Sequence, residues 1–217
     1  MRLAIWIMGA LLLATQAIAQ SGVRIVDGDT LQIGQITYRL AGIDAPEHGQ
    51  KCARRGGGSW QCGKAATEYL QQLAAHGQVR CDDRGQDKYG RTIGVCMVGN
   101  EDLNAQMVAS GHAWAFLRYS RDYEAVEATA RDRGIGIWQA ATQPAWDYRA
   151  DRWARAADQS PNGCPIKGNI SKSGMIYHTP WSPFYSRTKI NTAKGERWFC
   201  SEAEAVAAGW RAPRWGG

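Results

Sequence analysis

The 217-residue chain has no Cys-x-x-Cys pair, no twelve-residue acidic loop closing on Glu, no internal repeat and no low-complexity tract. Each absence removes a class of protein. Without Cys-x-x-Cys knuckles the cysteines give little support to zinc, and without a closing Glu the acids do not form an EF-hand. Without repeats a solenoid has no basis, which leaves a globular reading. The apolar stretch near the start, LAIWIMGALLLA, falls short of the about 20 residues that a spanning helix needs.

That stretch fits a different role. Arg2 precedes it and Ala17-Ile18-Ala19 follows, so residues 1–19 read as a signal peptide with a small-x-small cleavage site. The mature chain is expected in the periplasm or the medium, with a retained envelope anchor as the alternative. All six cysteines (Cys52, Cys62, Cys81, Cys96, Cys164 and Cys200) follow this segment. An even number in an exported chain predicts disulfides. About fifteen pairings are possible for six cysteines. Cys52 and Cys62 bracket one loop, Cys81 and Cys96 sit on two neighbouring candidate strands, and Cys164 is left with Cys200.

The net charge of +6 is unevenly spread. Residues 20–150 hold 15 basic and 15 acidic groups, whereas residues 151–217 hold 10 and 5. The basic C-terminal segment suits nucleic acid or an anionic envelope polymer, and it also aids solubility.

Residues 23–40 alternate with period two through Val23, Ile25, Leu31, Ile33, Ile36, Tyr38 and Leu40, broken by IGQI as a tight turn. A helix is expected over CGKAATEYLQQLAAHG, followed by strands QVRCDDR and TIGVCMVG around the polar turn GQDKYGR. EDLNAQMVASG reads as a short helix. SRDYEAVEATARDRG reads as a third, capped by Ser120 and stopped by Gly134. Three strands, a helix, two strands and two helices predict an α+β domain on a small five-stranded barrel of the oligonucleotide-binding (OB) type. The domain is bounded at 21–140. Residues 141–162 form a partly helical linker, with Trp146, Arg149 and Trp153 at helical spacing, and 163–217 form a small module.

Four carboxylates, Asp27, Asp29, Asp44 and Glu47, fall beside or two residues from Gly or Pro around one arginine, Arg39. Like charges repel, so the cluster calls for a cation or a polyanionic ligand. Asp29 and Asp44, each at a strand bend, are hard-oxygen donors of the kind Ca²⁺ accepts. Asp27 suits an Asx-type brace. Glu47, fixed by Pro46, could orient or deprotonate water. Arg39 and Arg91 could fork onto a phosphodiester and share its transition-state charge. Taken singly, each of these residues is as well explained by a turn or a surface ion pair. Replacement of Arg39 or Arg91 by Ala is expected to cost at least about a hundredfold in turnover with the fold retained.

The motifs VDGDT, YRLAGIDAPE, DKYGR, NAQMVASGHAWAF and GIGIW, in this order over about 23–138, resemble the staphylococcal nuclease (thermonuclease) family. The resemblance implies an OB barrel with three helices and Ca²⁺-dependent hydrolysis of DNA and RNA. By position it assigns Asp29, Asp44 and the Ala45 carbonyl to the metal, and Arg39, Glu47 and Arg91 to catalysis. Lys88, Tyr89 and Tyr119 fall to the nucleotide site. A monomer without a stable protein partner is expected. A non-catalytic binder of nucleic acid or envelope polymer on the same fold is the alternative. Leu117 stands where an aromatic contact is common. Arg54 and Arg55 read as solvated loop charges that could also reach phosphate.

The C-terminal segment resembles a small Cys-, Trp- and Tyr-rich sunset-type domain akin to Ada-type metal modules. With one histidine (His178) and two cysteines its zinc set is incomplete, so His178 reads as structural. Its Tyr177, Trp181, Tyr185 and Trp198 read as core, with nucleic-acid stacking as the other possibility. Ser201 and Glu204 form a capping box for a helix ending at Gly209.

Overall fold

The computed structural model describes residues 22–213; the expected signal peptide at 1–19 lies outside them. Strands β1 (Val23–Ile25), β2 (Thr30–Ile33) and β3 (Ile36–Leu40) form an antiparallel meander. Ile33 pairs with Ile36, leaving Gly34 and Gln35 as a two-residue turn. Gly34 takes φ +59°, as a type II′ turn requires at its first position. Short strands β4 (Ile43–Asp44), β5 (Cys52–Ala53) and β6 (Ser59–Trp60) lead to helix α1 (Cys62–Ala75), whose Ala66, Leu70 and Leu73 face the core. Next come β7 (Val79–Gln86), β8 (Thr92–Val98), β9 (Glu101–Asp102) and α2 (Leu103–Ala109). Strand β10 (Trp114–Ala115) and α3 (Glu124–Asp132) complete this part of the chain.

The main sheet runs β1-β2-β3-β8-β7, with β9 on β8 and a parallel step between β3 and β8. These are the five strands expected of the barrel, but among the described residues the ladder does not close. Strand β1 has only three residues, and α1 packs against it at that edge. The fold is mixed α+β on an open sheet. One core, including Leu31, Leu40, Leu70, Leu103, Met107 and Val108, lies between the sheet and α1–α2.

Helix α3 begins at Glu124, not at the expected Ser120. The Ser120 hydroxyl instead accepts from the Asp122 N–H and closes a turn before the helix. Helix α2 is capped by Asp102, which accepts from the Ala105 N–H.

The expected linker holds a 13-residue helix, α4 (Ala145–Ala157). Beyond it β11 (Ile166–Ser171), β12 (Gly174–His178) and β13 (Arg197–Phe199) form a three-stranded sheet covered by α5 (Glu202–Ala207). Ile166, Tyr177, Phe199 and Trp210 make its small core. The Ser201 hydroxyl caps α5 as expected. All three disulfides form as read, Cys52–Cys62, Cys81–Cys96 and Cys164–Cys200. No helix among the described residues is long and apolar enough to cross a membrane.

Candidate active site

Strand register builds the site. Thr30 lies opposite Arg39 in the β2–β3 ladder, so Asp29, one residue before it, meets the Arg39 side chain. The Asp29 carbonyl accepts from the Leu40 N–H at 2.8 Å, and the Asp29 N–H donates to Asp27 Oδ1, the expected Asx brace. Asp44 arrives from the other side on β4, paired with Trp114 of β10. The buried Asn104 amide ties that approach to β8: it donates to the Ala41 and Gly94 carbonyls and accepts from the Cys96 N–H.

The four residues Asp29, Arg39, Asp44 and Glu47 meet at this end of the sheet. Arg39 donates through Nη1 to Asp29 Oδ1 and through Nη2 to Asp44 Oδ1, the latter at 2.7 Å. Asp29 Oδ2 accepts from the Ala45 N–H at 2.8 Å, and the Thr30 hydroxyl donates to Oδ1. Asp44 is wholly buried.

Glu47 sits in a turn closed on Gln50, whose N–H donates to the Glu47 carbonyl and whose side-chain oxygen accepts from the Glu47 N–H. Gly63 in the first turn of α1 makes this turn possible. A Cβ there would lie 1.7 Å from the Glu47 carbonyl oxygen.

A residue from outside the predicted set completes the cluster. Arg149 of α4 forks onto Asp44, Nη1 to Oδ1 at 3.1 Å and Nη2 to Oδ2 at 2.7 Å, and Nη1 also reaches Glu47 Oε1 at 2.8 Å. Trp146 anchors that helix by packing on Trp114 and Phe116. Gln50 donates to the Gln143 carbonyl just ahead of it.

Burial pushes the Asp29 carboxyl up to about 7 against the opposing pull of Arg39, and Asp27 and Asp44 add to the rise. Burial acts on Asp44 in the same sense, but the Arg39 and Arg149 guanidiniums outweigh it and hold Asp44 below the usual carboxylate range. Glu47 is pushed up to about 7 by burial, against Arg149. Asp44 is therefore the fixed negative charge, flanked by two acids that titrate near neutrality.

The remaining expected residues stand apart from this knot. Among the described residues Arg91 makes no hydrogen bond or ion pair to the cluster; its Nε donates to Asp87 Oδ2 at 2.7 Å in the β7–β8 turn. Lys88 and Arg91 both lie over the Tyr89 ring. Tyr119 is 77 % exposed and edges onto Phe116. Leu117 is exposed, and Arg55 donates to the Gly134 carbonyl. His178 is buried between Asn169 and Ser182, in keeping with a structural role.

A mixed α+β sheet with an acid–guanidinium cluster at one end defines a class of small domain, and sequence comparison gives it a family. Residues 37–140 match the model described as staphylococcal nuclease homologue, and residues 147–212 match one described as ArfC. The micrococcal nuclease of Shigella flexneri is 33 % identical over 158 residues, covering 64 % of this chain and 82 % of that protein. The succinoglycan biosynthesis protein ExoI of Rhizobium meliloti is 34 % identical over 136 residues, covering 59 % and 69 %. An uncharacterized endonuclease of Haemophilus influenzae is 36 % identical over 123 residues, covering 54 % and 64 %. The chain belongs to the staphylococcal nuclease family.

Arg149 lies in the segment matched by the second model. Its one sequence signal was spacing: Trp146, Arg149 and Trp153 share a helix face, which sets an arginine between two large anchors.

Proposed function

We propose that the protein is an exported nuclease that hydrolyses phosphodiester bonds of DNA, RNA or both, with Ca²⁺ as its metal. In this reading 21–140 is the nuclease unit and 163–217 a basic appendage. The observation that carries it is the meeting of Asp29, Arg39, Asp44 and Glu47 at one end of the sheet in a chain of this family. Its three disulfides and the lack of a spanning helix among the described residues agree with export.

The donor chemistry fits Ca²⁺: two carboxylates and the Ala45 carbonyl are hard oxygens. Both Asp44 oxygens face guanidiniums, and the described residues hold no ready cluster of three His, Cys, Asp or Glu for a metal. The fit therefore requires Arg149 to turn away. When bound, such an ion supplies Lewis-acid polarisation of a phosphoryl oxygen.

The chain's own residues supply the rest. Arg39 and Arg91 offer forked donors to phosphate oxygens and share the charge that grows as water adds to phosphorus in line with the leaving oxygen. Glu47, held in its turn by Gln50 beside Asp44, suits orienting that water or taking its proton. Lys88 and Tyr89 beside Arg91, with the exposed Tyr119, suit contact with the flanking nucleotide by charge and stacking. The test is cleavage of plasmid DNA and of RNA by the purified chain, with Ca²⁺ and with a chelator. Cleavage that needs Ca²⁺ supports the reading. Binding without cleavage supports the non-catalytic alternative.

A further inference from the structure

Arg149 places a positive charge where the nuclease reading needs a metal. It takes both oxygens of the buried Asp44 and one of Glu47, at 2.7 to 3.1 Å. Its side chain is 23 % exposed, while that of Asp44 is fully buried. The helix that carries it is held at both ends of one face. Trp146 packs on Trp114 and Phe116 of the nuclease part, and Trp153 lies against Trp181 of the C-terminal part.

The same C-terminal segment brings in a charge of opposite sign. Glu202, at the start of α5, accepts from the Tyr177 hydroxyl at 3.0 Å. Burial lifts its carboxyl, while the positive charges of Arg91 and Arg149 act to lower it.

We infer that Arg149 is a tethered counter-cation that a divalent ion must displace from Asp44 and Glu47, so that this one residue sets the metal affinity of the site. Arg149 is a positioning residue in this scheme, because it acts through the acids. With Arg149 in place both Asp44 oxygens accept from a guanidinium, and Oδ2 accepts from Arg149. With it withdrawn, Asp29, Asp44 and Glu47 keep, among the described residues, Arg39 as their one ion-pair partner and attract an incoming cation. The inference rests on the nuclease reading only for the identity of the ion.

The test is calorimetric titration of the full chain with Ca²⁺ for the wild type, Arg149→Met, Arg149→Lys and Asp44→Asn, with circular dichroism to verify folding. Removing one unit charge about 4 Å from the ion should tighten Ca²⁺ binding at least about tenfold in Arg149→Met. Arg149→Lys, which keeps the charge but loses the fork, should fall between it and the wild type, and Asp44→Asn should abolish binding. If Arg149→Met fails to fold, Arg149→Lys decides, again by tighter binding than wild type. Unchanged or weaker Ca²⁺ binding in the folded variants, or no Ca²⁺ binding by any of the proteins, overturns the inference. Nucleic-acid cleavage, measured separately, distinguishes the two claims. Tighter Ca²⁺ binding without cleavage retires the nuclease reading alone, and cleavage with unaltered Ca²⁺ affinity retires the Arg149 role alone.

Discussion

Arg39 and Arg91 were expected to be equivalent phosphate-gripping residues whose loss spares the fold, but their settings predict different stabilities. Arg39 bridges two acids whose side chains are 3 % and 0 % exposed. Arg91 pairs with Asp87 at a position that leaves its own side chain 32 % exposed. Removing one partner of a buried ion pair typically costs about 3–5 kcal/mol, because the abandoned charge stays buried. In Arg39→Ala, Asp44 still keeps Arg149, and Asp29 can take up a proton because its carboxyl already titrates at about 7. The cost should therefore fall at the low end, about 3 kcal/mol. For a chain of this size that lowers Tm by about 6–12 °C. In Arg91→Ala a partly exposed pair is lost, worth at most about 1 kcal/mol and about 4 °C. Thermal unfolding followed by circular dichroism, in chelator so that no metal contributes, measures both. Equal shifts in the two variants, or an Arg39→Ala midpoint within about 2 °C of wild type, would refute the reasoning.

Three other outcomes follow from the packing. Gly63→Ala should displace the Glu47 turn, since its Cβ would meet the Glu47 carbonyl at 1.7 Å; a clear loss of stability in urea is expected, and an unchanged midpoint would show that the turn is not pinned there. Asn104→Ala strips the partner from the Ala41 carbonyl and the Cys96 N–H, while the Gly94 carbonyl keeps the Ala41 N–H; each unsatisfied group costs about 1–3 kcal/mol, so the urea midpoint should drop steeply. Burial, helped by the charge of Lys167, lowers the His178 pKa in the folded chain. The unfolded chain then binds more protons below about 6.5, and this residue's contribution to stability is lost as pH falls through that value. His178→Gln should accordingly lose less stability than wild type between about pH 7.5 and 5.5, and parallel pH profiles would exclude the effect.

Much of the fold was legible because its signals are local. Alternation over 23–40, Gly-terminated helices and the bracketing of cysteine pairs each depend on a few neighbouring residues, and β1, β2, β3, β7, β8, α1, α2 and the disulfides lie where those patterns set them, whereas the short strands and the C-terminal sheet carried no such signal. The start of α3 was missed because Ser120 serves equally well as a helix cap or as a turn acceptor, and it closes a turn. Closure of the sheet was not legible, because it depends on whether β1 and β7 pair across the molecule, and no short-range pattern encodes that. Within the site, Asp29, Arg39, Asp44 and Glu47 could be grouped from their bends and motifs. Arg149 could not, since it lies 105 residues from Asp44 along the chain. Its helical spacing with two tryptophans implied packing but not a target.

The claim that Arg91 joins the acid–guanidinium cluster in phosphodiester hydrolysis, although among the described residues it makes no hydrogen bond or ion pair to it, is tested most directly by single-turnover cleavage with the wild type and Arg91→Ala at saturating Ca²⁺. Arg91 is the catalytic candidate whose removal should barely touch stability, so a change in rate reports chemistry. Arg91→Ala is expected to slow cleavage at least about a hundredfold with Tm lowered by no more than about 4 °C. Equal rates for the two proteins would contradict it.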